Sequence, residues 1–587
     1  MRHSIILIIP TFCFLLAALP PARSADGNAG GDEYRAVLCA RAERPADPAT
    51  AGGSHRRASS PGVLLFSMNG PDNAVCVRSV PDVNGDSLDE IVVGFDESGV
   101  DNIFCLDGAS VGSATVVWKV QTSDGVSGGS PYGDQCLEPI SDSENSGHGN
   151  ILAGTAWGGR TAYNLDTLAG GTVWKYDTYL SPATGWVYSL CELNDVNGDN
   201  VPDCAFGTGS SSDSVYMIDG ASPGGQAPVL WQYKAGDAVY SVRDLGDVNG
   251  DNKHDVLAAA GDSADKMVCL DGGSTNPSGT VLWTYTPGVS VYACGVMPDI
   301  SGDGISEAVA VLWTSDGSAI RCVNGATGVE IWASNGVSEY GMMVDVIGDV
   351  TGDGTDDLVV SSWENAAIVL SGIDGSLVWK TTVGTVNGGD IWTARAIDDL
   401  NGDGRQDVIA GSFDYHVYAM DGDSGEVFWA YSTNNRIYSV YPVGDLNGDG
   451  TPEVAAGTQD TNNNTLVYVL EGDAQIPYPG LTLTGTGAIG SVLAIEVTGP
   501  AGWTVRIALG RSTASITVPP FVGTLGIQPP LTFLPGGPVP PVGAYVLNQS
   551  IPNNPGLIGK TFYIQGLVSR TAPLLGGFSD VESIVIN

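Results

Sequence analysis

One acidic motif of nine residues recurs seven times along the chain, and it constrains the fold more than any other feature of the sequence. Each copy has the form Asp-x-(Asn/Ser/Thr)-Gly-Asp-x-x-x-(Asp/Glu). The copies begin at Asp82, Asp195, Asp247, Asp299, Asp349, Asp399 and Asp445. They lie about 50 residues apart, except that the first interval is about twice as long and contains a degenerate copy at Asp142. A repeat of this length predicts an array of similar structural units, here eight.

Each unit contains four short runs that are rich in β-branched and aromatic residues, bounded by Gly and Asp. This pattern is typical of the four-stranded blades of a β-propeller, and no unit shows the 3.6-residue period of a helix. The last unit lacks its fourth strand, whereas a matching run stands at Val63–Phe66. We therefore expect the N-terminal strand to complete the last blade and to close the ring without free edges. The predicted fold class is all-β, an eight-bladed propeller followed by a small β-sandwich-like domain.

The domain boundaries follow from changes in composition. Residues 1–25 have the basic start, apolar stretch and small-residue cleavage site of a bacterial secretory signal peptide, which predicts a secreted or cell-surface protein, with the periplasm as a further possibility. We interpret residues 26–60 as a flexible leader, residues 61–474 as the propeller and residues 475–587 as the C-terminal β-domain. No stretch after the signal is long and apolar enough to span a bilayer. A net charge of −42 excludes nucleic acid as a main partner.

The acidic loops are predicted to bind up to about seven Ca²⁺ ions. Positions 1, 3, 5 and 9 of each loop carry side-chain oxygen and position 7 offers a backbone carbonyl, and hard oxygen ligands in a tight loop favour calcium over magnesium. Position 4 is always Gly, which permits the turn that points the side chains inward. The predicted ligands, loop by loop, are Asp82, Asn84, Asp86, Leu88 and Glu90; Asp195, Asn197, Asp199, Val201 and Asp203; Asp247, Asn249, Asp251, Lys253 and Asp255; Asp299, Ser301, Asp303, Ile305 and Glu307; Asp349, Thr351, Asp353, Thr355 and Asp357; Asp399, Asn401, Asp403, Arg405 and Asp407; and Asp445, Asn447, Asp449, Thr451 and Glu453.

Two other interpretations of these loops are weaker. An EF-hand or dockerin-like loop needs an acid at position 12 and a following helix, but Val93 holds that position in the first loop, inside a strand-like run. Loops that only turn the chain and solubilise it would not need seven copies in register. We expect the degenerate copy at Asp142 to bind no metal.

Two family resemblances rest on these residues. The loops resemble the FG-GAP repeats of integrin-type propellers, which implies a calcium loop between the first and second strands of each blade. Segments 324–332 and 421–429, which end at Trp332 and Trp429, resemble the tryptophan-docking repeats of pyrroloquinoline quinone (PQQ) dehydrogenases, which are eight-bladed. A Trp ends seven of the units: Trp118, Trp174, Trp231, Trp283, Trp332, Trp379 and Trp429. We interpret these residues as inter-blade packing.

Enzyme classes receive less support from the sequence. The paired cysteines of the quinone dehydrogenases are absent, so we expect no bound PQQ. A calcium-dependent polysaccharide lyase, similar to eight-bladed rhamnogalacturonan lyases, remains an alternative because Arg78, Arg243 and Arg395 lie on first strands and could face the channel, although salt bridges are the favoured role. Of the ten cysteines, eight fall between Cys76 and Cys322; either some disulfide pairing or buried single thiols is possible.

The favoured function is an extracellular or cell-surface binding or adhesion module whose partner is a carbohydrate or an extracellular protein. If the calcium loops share one face, the opposite face is built from the remaining connections between strands. Aromatic residues in those connections could stack on sugars or anchor a protein, or they could pack between blades. The candidate ligand-binding residues are Phe95, Trp157, Trp186, Trp313, Trp363, Trp392 and Phe413.

Overall fold

The computed structural model describes residues 64–587 with short gaps. The residues outside the description are 1–63, 128–134, 157–158, 179–184, 210–211, 223, 262, 384–388, 434, 449, 461–464, 474–480, 499–503, 518–523, 530, 541–543, 572–573 and 579–580. The predicted signal peptide, the leader, Cys39, Trp157 and Asp449 therefore lie outside the described residues.

The described chain is built almost entirely of β-strands. The strands of the repeat region are β1 (Leu64–Asn69), β2 (Ala74–Val80), β3 (Glu90–Phe95), β4 (Ile103–Leu106), β5 (Gly112–Ser113), β6 (Val116–Val120), β7 (Leu137–Ile140), β8 (Asn150–Gly154), β9 (Thr161–Asp166), β10 (Thr172–Asp177), β11 (Val187–Glu192), β12 (Cys204–Thr208), β13 (Ser214–Ile218), β14 (Val229–Lys234), β15 (Val239–Gly246), β16 (Asp255–Ala260), β17 (Lys266–Leu270), β18 (Val281–Tyr285), β19 (Val291–Met297), β20 (Glu307–Leu312), β21 (Ile320–Val323), β22 (Glu330–Ala333), β23 (Gly341–Ile347), β24 (Asp357–Ser362), β25 (Ala366–Leu370), β26 (Leu377–Thr382), β27 (Ile391–Ile397), β28 (Asp407–Ser412), β29 (His416–Met420), β30 (Val427–Ser432), β31 (Ile437–Val443), β32 (Glu453–Thr458) and β33 (Thr465–Leu470). The strands that follow are β34 (Leu481–Thr484), β35 (Val492–Thr498), β36 (Thr504–Gly510), β37 (Thr513–Thr517), β38 (Thr524–Ile527), β39 (Thr532–Pro538), β40 (Ala544–Ser550), β41 (Thr561–Thr571), β42 (Leu574–Phe578) and β43 (Glu582–Val585), with a 3₁₀ turn at Pro555–Leu557.

Strands β1–β33 form eight sheets, numbered here in chain order, which are antiparallel except for the short pairing of β1 with β5. The first sheet is β2-β3-β4-β6, the second to seventh are the successive groups of four from β7 to β30, and the eighth is β31-β32-β33-β1 with the short β5 at its edge. The first strands of successive sheets contact each other, and β31 of the eighth sheet contacts β2 of the first. The eight sheets therefore follow one another in a closed cycle around their first strands.

Strand β1 closes the eighth sheet as the sequence predicts. It pairs antiparallel with β33, with Leu64 opposite Leu470 and Asn69 opposite Thr465. Phe66 in this strand is fully buried in the core between the eighth and first sheets. Because the first and last segments of the repeat region share one sheet, separating the ends of this region requires breaking a ladder of backbone hydrogen bonds.

The apolar cores lie between neighbouring sheets. The second strand of each of these sheets is buried along its whole length, as expected for strands covered on both faces. The eight described cysteines, from Cys76 to Cys322, are all buried, and none of them forms a disulfide bond. The alternative of buried single thiols is thus confirmed over disulfide pairing for these eight residues.

Strands β34–β43 form further sheets with a separate apolar core centred on Ile495, Val505 and Val568. Their main pairings are β35 with β40 and β36 with both β39 and β41. The strand prediction for this region is confirmed. The proposed domain boundary near residue 475 falls among residues 474–480, outside the description. No helix in the described part of the chain is long and apolar enough to cross a membrane.

Candidate functional site: acidic loops and an aromatic arc

The seven acidic loops connect the first and second strands of their sheets and share one pattern of backbone hydrogen bonds to the position-1 Asp. In the first loop, Asp82 accepts hydrogen bonds from the backbone N–H groups of Gly85 at 2.6 Å and Ser87 at 2.8 Å. These N–H groups lower the pKa of the Asp82 carboxyl, with the bond from Gly85 as the main cause. The position-1 Asp of the other six loops accepts the two equivalent bonds. The position-1 carboxylate therefore organises the loop, and in the first loop the same N–H groups favour its ionised form.

Two positions of each loop have left-handed backbone. The position-4 glycines have φ between 78° and 91°, which confirms the prediction that Gly permits the turn. Position 6 is also left-handed, where four loops have Gly but the first three have Ser87, Asn200 and Asn252. Sequence reasoning missed this second requirement, although the preference for Gly and Asn at position 6 was a visible signal.

We expect the substitution Ser87→Gly to stabilise the protein by about 0.5–1 kcal/mol, because Ser87 has φ 76° and Gly removes most of the cost of left-handed backbone. Urea unfolding of the variant and the wild-type chain measures the difference. The matched control is Gly304→Ser at the same position of the fifth sheet's loop, where φ is 89° and a loss of similar size is expected. A gain with Gly304→Ser would contradict the argument.

The acid at position 9 is buried beneath the loop rather than exposed with the others. In every loop it accepts a hydrogen bond from the backbone N–H of position 2, as Glu90 does from Val83 at 2.7 Å. In five loops its second oxygen accepts from a glycine N–H in the turn between the third and fourth strands, as Asp255 does from Gly272 at 3.0 Å. Position 9 thus joins two loops of one sheet as well as offering carboxylate oxygen.

The first loop differs from the others at this buried acid. Glu90 is fully buried, and its Oε1 atom has no hydrogen-bond partner among the described residues. Oxygen atoms of Asp82, Asp86 and Glu90 lie within 4.8 Å of one another. A buried carboxylate oxygen without a donor is costly, and a hard cation would satisfy it and neutralise the three acids. Within the described part of the chain, no other three such residues come this close.

Additional acids approach the loops from the turn between the third and fourth strands. The Nδ2 atom of Asn84 lies 3.3 Å from Asp107 Oδ1, and that of Asn401 lies 3.3 Å from Asp421 Oδ2. Asn447 makes the equivalent bond to Glu471 at 2.7 Å. The sequence prediction omitted these acids, although each one immediately precedes a Gly in every such unit, as in Asp421-Gly422. They add further negative charge beside positions 3 and 5.

The calcium-free protein is expected to lose stability as the pH rises from about 4 to about 7. Burial is the main cause that raises the pKa of Glu90 to about 7, of Asp203 to about 6 and of Asp255 to about 7. The folded chain then binds more protons than the unfolded chain in this window, so the free energy of unfolding falls with increasing pH. Urea unfolding in EDTA at pH 5 and at pH 7.5 measures this difference. The variant Glu90→Gln should show a smaller difference, and a higher stability at pH 7.5 would refute the expectation.

The tryptophans at the ends of the fourth strands pack between sheets, as predicted. All seven are buried, and six donate an Nε1–H bond to a backbone carbonyl of the next sheet. Trp283, for example, donates to Gly325 O at 2.6 Å. For Trp174, no acceptor is found among the described residues.

The opposite face carries a chain of aromatic rings that we call the aromatic arc: Trp186, Tyr188, Tyr240, Tyr292, Trp313, Tyr340 and Trp363. Successive ring centroids lie 6.1, 5.5, 4.9, 4.8 and 4.1 Å apart from Trp186 to Tyr340, and Trp363 lies 4.8 Å from Trp313. Tyr188 and Tyr240 are buried, whereas the other five rings are half-buried. The arc spans the third to sixth sheets near the start of their first strands.

Three of the candidate aromatic residues need correction. Phe95 and Trp392 are buried at 0% and 1% exposure, and Phe413 is 9% exposed, so they pack inside the protein and offer little surface to a ligand. Phe95 and Trp392 lie in strands, and Phe413 directly follows one. Neighbouring sheets cover these strands, so the three side chains are buried. Trp186, Trp313 and Trp363 do lie together in the arc. The four tyrosines of the arc were missed because three of them stand in the first strands, where the sequence suggested only packing.

The three arginines on first strands occupy different surroundings. The guanidinium carbons of Arg78 and Arg395 lie 4.9 and 5.1 Å from the ring centroid of Tyr441, and Arg243 donates to Val242 O. Burial raises the pKa of Tyr441, while the two arginines oppose this shift. Cation–π contacts with Tyr441 were not anticipated from the sequence.

Comparison with known proteins supports a propeller. Residues 357–475 match the family described as the lambda-carrageenase beta-propeller domain. Among solved structures, Sqt1 from Saccharomyces cerevisiae is similar at 11% identity with a TM-score of 0.50, covering 70% of this chain and 99% of that one. BamB from Moraxella catarrhalis (13% identity, 70% and 98% covered, TM-score 0.43) and the WD40 beta propeller domain of Doa1 (16%, 61% and 95%, 0.38) are also similar. No curated protein matches the chain. The sheets of the repeat region are those of a β-propeller.

Proposed function

We propose that this protein is an exported, calcium-stabilised, eight-bladed β-propeller that binds glycans outside the cytoplasm. The observation that carries the binding function is the aromatic arc, because half-buried Trp and Tyr rings in a continuous group are suited to stack on sugar rings. The match of one segment to a carrageenase propeller domain favours a glycan over a protein as partner. Eight sheets in a closed cycle support the blade number.

The calcium proposal is supported best at the first loop. Oxygen atoms of its three acids lie within 4.8 Å of one another, and Glu90 Oε1 accepts no hydrogen bond from the described residues. The remaining loops share its backbone and its position-1 and position-9 contacts, so we extend the proposal to them by their common geometry. Asp449, the position-5 acid of the last loop, lies outside the described residues.

The test of function uses the full exported chain and a panel of immobilised polysaccharides in calcium-containing buffer. Retention on at least one glycan, without released product, is expected. The absence of retention on every glycan would refute the proposal. Retention that also occurs on an uncoated matrix would refute it as well.

A glycan-cleaving enzyme is a second candidate, favoured by the carrageenase match and by two carboxyls beside the arc. Burial raises the pKa of Asp390, and the charge of Glu339 raises it further. A carboxyl with a raised pKa near a second carboxyl is one feature that glycoside hydrolysis needs. Reducing-end release would identify a hydrolase, whereas ultraviolet absorbance of unsaturated uronates would identify the lyase alternative.

A further inference from the structure

The half-buried part of the arc on the fifth and sixth sheets has the features of a defined binding surface. Trp313 directly follows β20, Trp363 directly follows β24, and Tyr340 directly precedes β23. The rings of Trp313 and Tyr340 are stacked at 4.1 Å, and the Trp363 ring stands at 78° to that of Trp313. Tyr292 adjoins Trp313 at 4.8 Å. The rings extend from strand ends and pack against each other, so they form a rigid surface. Binding a ligand to it therefore costs little side-chain entropy.

One polar atom of this group lacks an intramolecular partner. Trp363 Nε1 is buried, and no acceptor reaches it among the described residues. Nearly all buried N–H groups in proteins are hydrogen-bonded, and those that are not call for a ligand or water that supplies the acceptor.

The charges around the group select among glycans. Lys380 pairs with Glu364, and Arg321 pairs with Glu330 at 3.3 Å, so these cations are compensated. Asp316 and Glu339 are exposed and Asp390 is half-buried, whereas the nearby cation Arg436 lies over the Phe413 ring at 4.8 Å. Carboxylates thus exceed free cations beside the rings, and the whole chain carries −42. This field repels sulfated and uronate chains and leaves stacking on uncharged sugars unopposed.

We infer that Tyr292, Trp313, Tyr340 and Trp363 form the binding site for a glycan chain that carries no anionic groups. The inference rests on the proposed glycan-binding function and adds its site and its ligand class. Sugar rings pack on the parts of these four rings that remain exposed, because Trp313 and Tyr340 already cover one face of each other, and Trp363 contributes the buried N–H that lacks an acceptor within the described chain. The carboxylates at the rim exclude chains that bear sulfate or carboxylate.

The experiment compares two forms of one polymer. Affinity electrophoresis in calcium-containing gels uses lambda-carrageenan and the same preparation after chemical desulfation, which keeps the backbone and removes the negative charge. We expect at least tenfold stronger retardation by the desulfated form. Stronger retardation by the sulfated form would overturn the inference on ligand class but leave the proposed function intact. Retardation by neither polymer, nor by any other glycan of the panel, would refute the proposed function and the inference with it.

The site is tested with three variants on whichever glycan binds. Trp313→Ala is expected to weaken binding at least tenfold, and Trp313→Phe, which keeps a ring at that place, by a smaller factor. Phe533→Ala is the matched control, because Phe533 is a more exposed aromatic ring (58%) outside the arc and its loss should leave binding unchanged. Melting curves confirm that each variant is folded; where Trp313→Ala is not, Trp313→Phe and Tyr340→Ala decide. Unchanged binding in the folded arc variants would place the site elsewhere.

Discussion

Removal of calcium with EDTA is expected to lower the melting temperature by at least about 10 °C. A site saturated at one hundred times its dissociation constant stabilises the folded state by about 2.7 kcal/mol, and several such sites act on one cooperative ring. The physical reason lies in the loops, where Asp82, Asp86 and Glu90 bring three carboxyl oxygens within 4.8 Å. Without a cation these acids repel one another, and Glu90 keeps a buried oxygen without a donor.

Differential scanning calorimetry in EDTA, and again after excess calcium, measures this effect. Calcium should restore the melting temperature, whereas magnesium at the same concentration should restore little of it, because magnesium requires stricter octahedral geometry. The variant Glu90→Gln should retain part of the calcium response, since six other loops are intact. An identical melting temperature with and without EDTA would refute calcium stabilisation and leave the fold unaffected.

The substitution Trp332→Ala is expected to destabilise the protein by about 3–5 kcal/mol, the usual cost of deleting a large buried aromatic side chain. Trp332 is 8% exposed and donates an Nε1–H bond to Gly372 O of the next sheet at 3.0 Å. The fit is close, because a Cβ atom at Gly375 would lie 2.4 Å from the indole ring. The substitution thus removes both an inter-sheet hydrogen bond and the packing that joins the fifth and sixth sheets.

Urea unfolding measures the loss. Trp332→Phe keeps a ring but removes the N–H donor, so a smaller loss is expected. Ile331→Ala is the matched control, because Ile331 is the neighbouring residue and is 40% exposed; its effect should stay within about 0.5 kcal/mol. Equal effects of Trp332→Ala and Ile331→Ala would show that the docking contact contributes little.

Much of the candidate site could be predicted because its residues lie close together in sequence. The contacts of Asp82 with Gly85 and Ser87 form within six residues, so one motif specifies the whole loop. The inter-sheet role of the tryptophans was predictable for a related reason, since a large apolar residue recurs at the same point of seven units and packs against the same kind of neighbour each time. The requirement for left-handed backbone at position 6 was missed because Ser87 tolerates it only at a cost in energy.

The aromatic arc could not be predicted in full because it joins residues far apart in the chain. Tyr240 and Tyr292 stack at 4.9 Å, yet they belong to different sheets and are separated by 52 positions. The exposure of each ring also depends on which neighbour covers it: Trp392 is buried by Phe413 at 4.8 Å, whereas Trp313 is half-buried although it also touches several rings. A residue's place at a strand end does not determine how much of its surface remains open.

The sequence by itself determined the all-β repeat architecture, the turn at position 4 of the acidic loops and the closure of the last sheet by the N-terminal strand. These features can be predicted because the same residue pattern recurs in each unit. Each of the contacts involved forms inside one unit or with the neighbouring unit. Only the tertiary structure decided that Glu90 keeps a buried oxygen without a donor, that the eight described cysteines form no disulfide bond and that seven rings form one arc. Those features depend on the distances between sheets. Packing determines these distances, and the order of residues in the sequence does not reveal them.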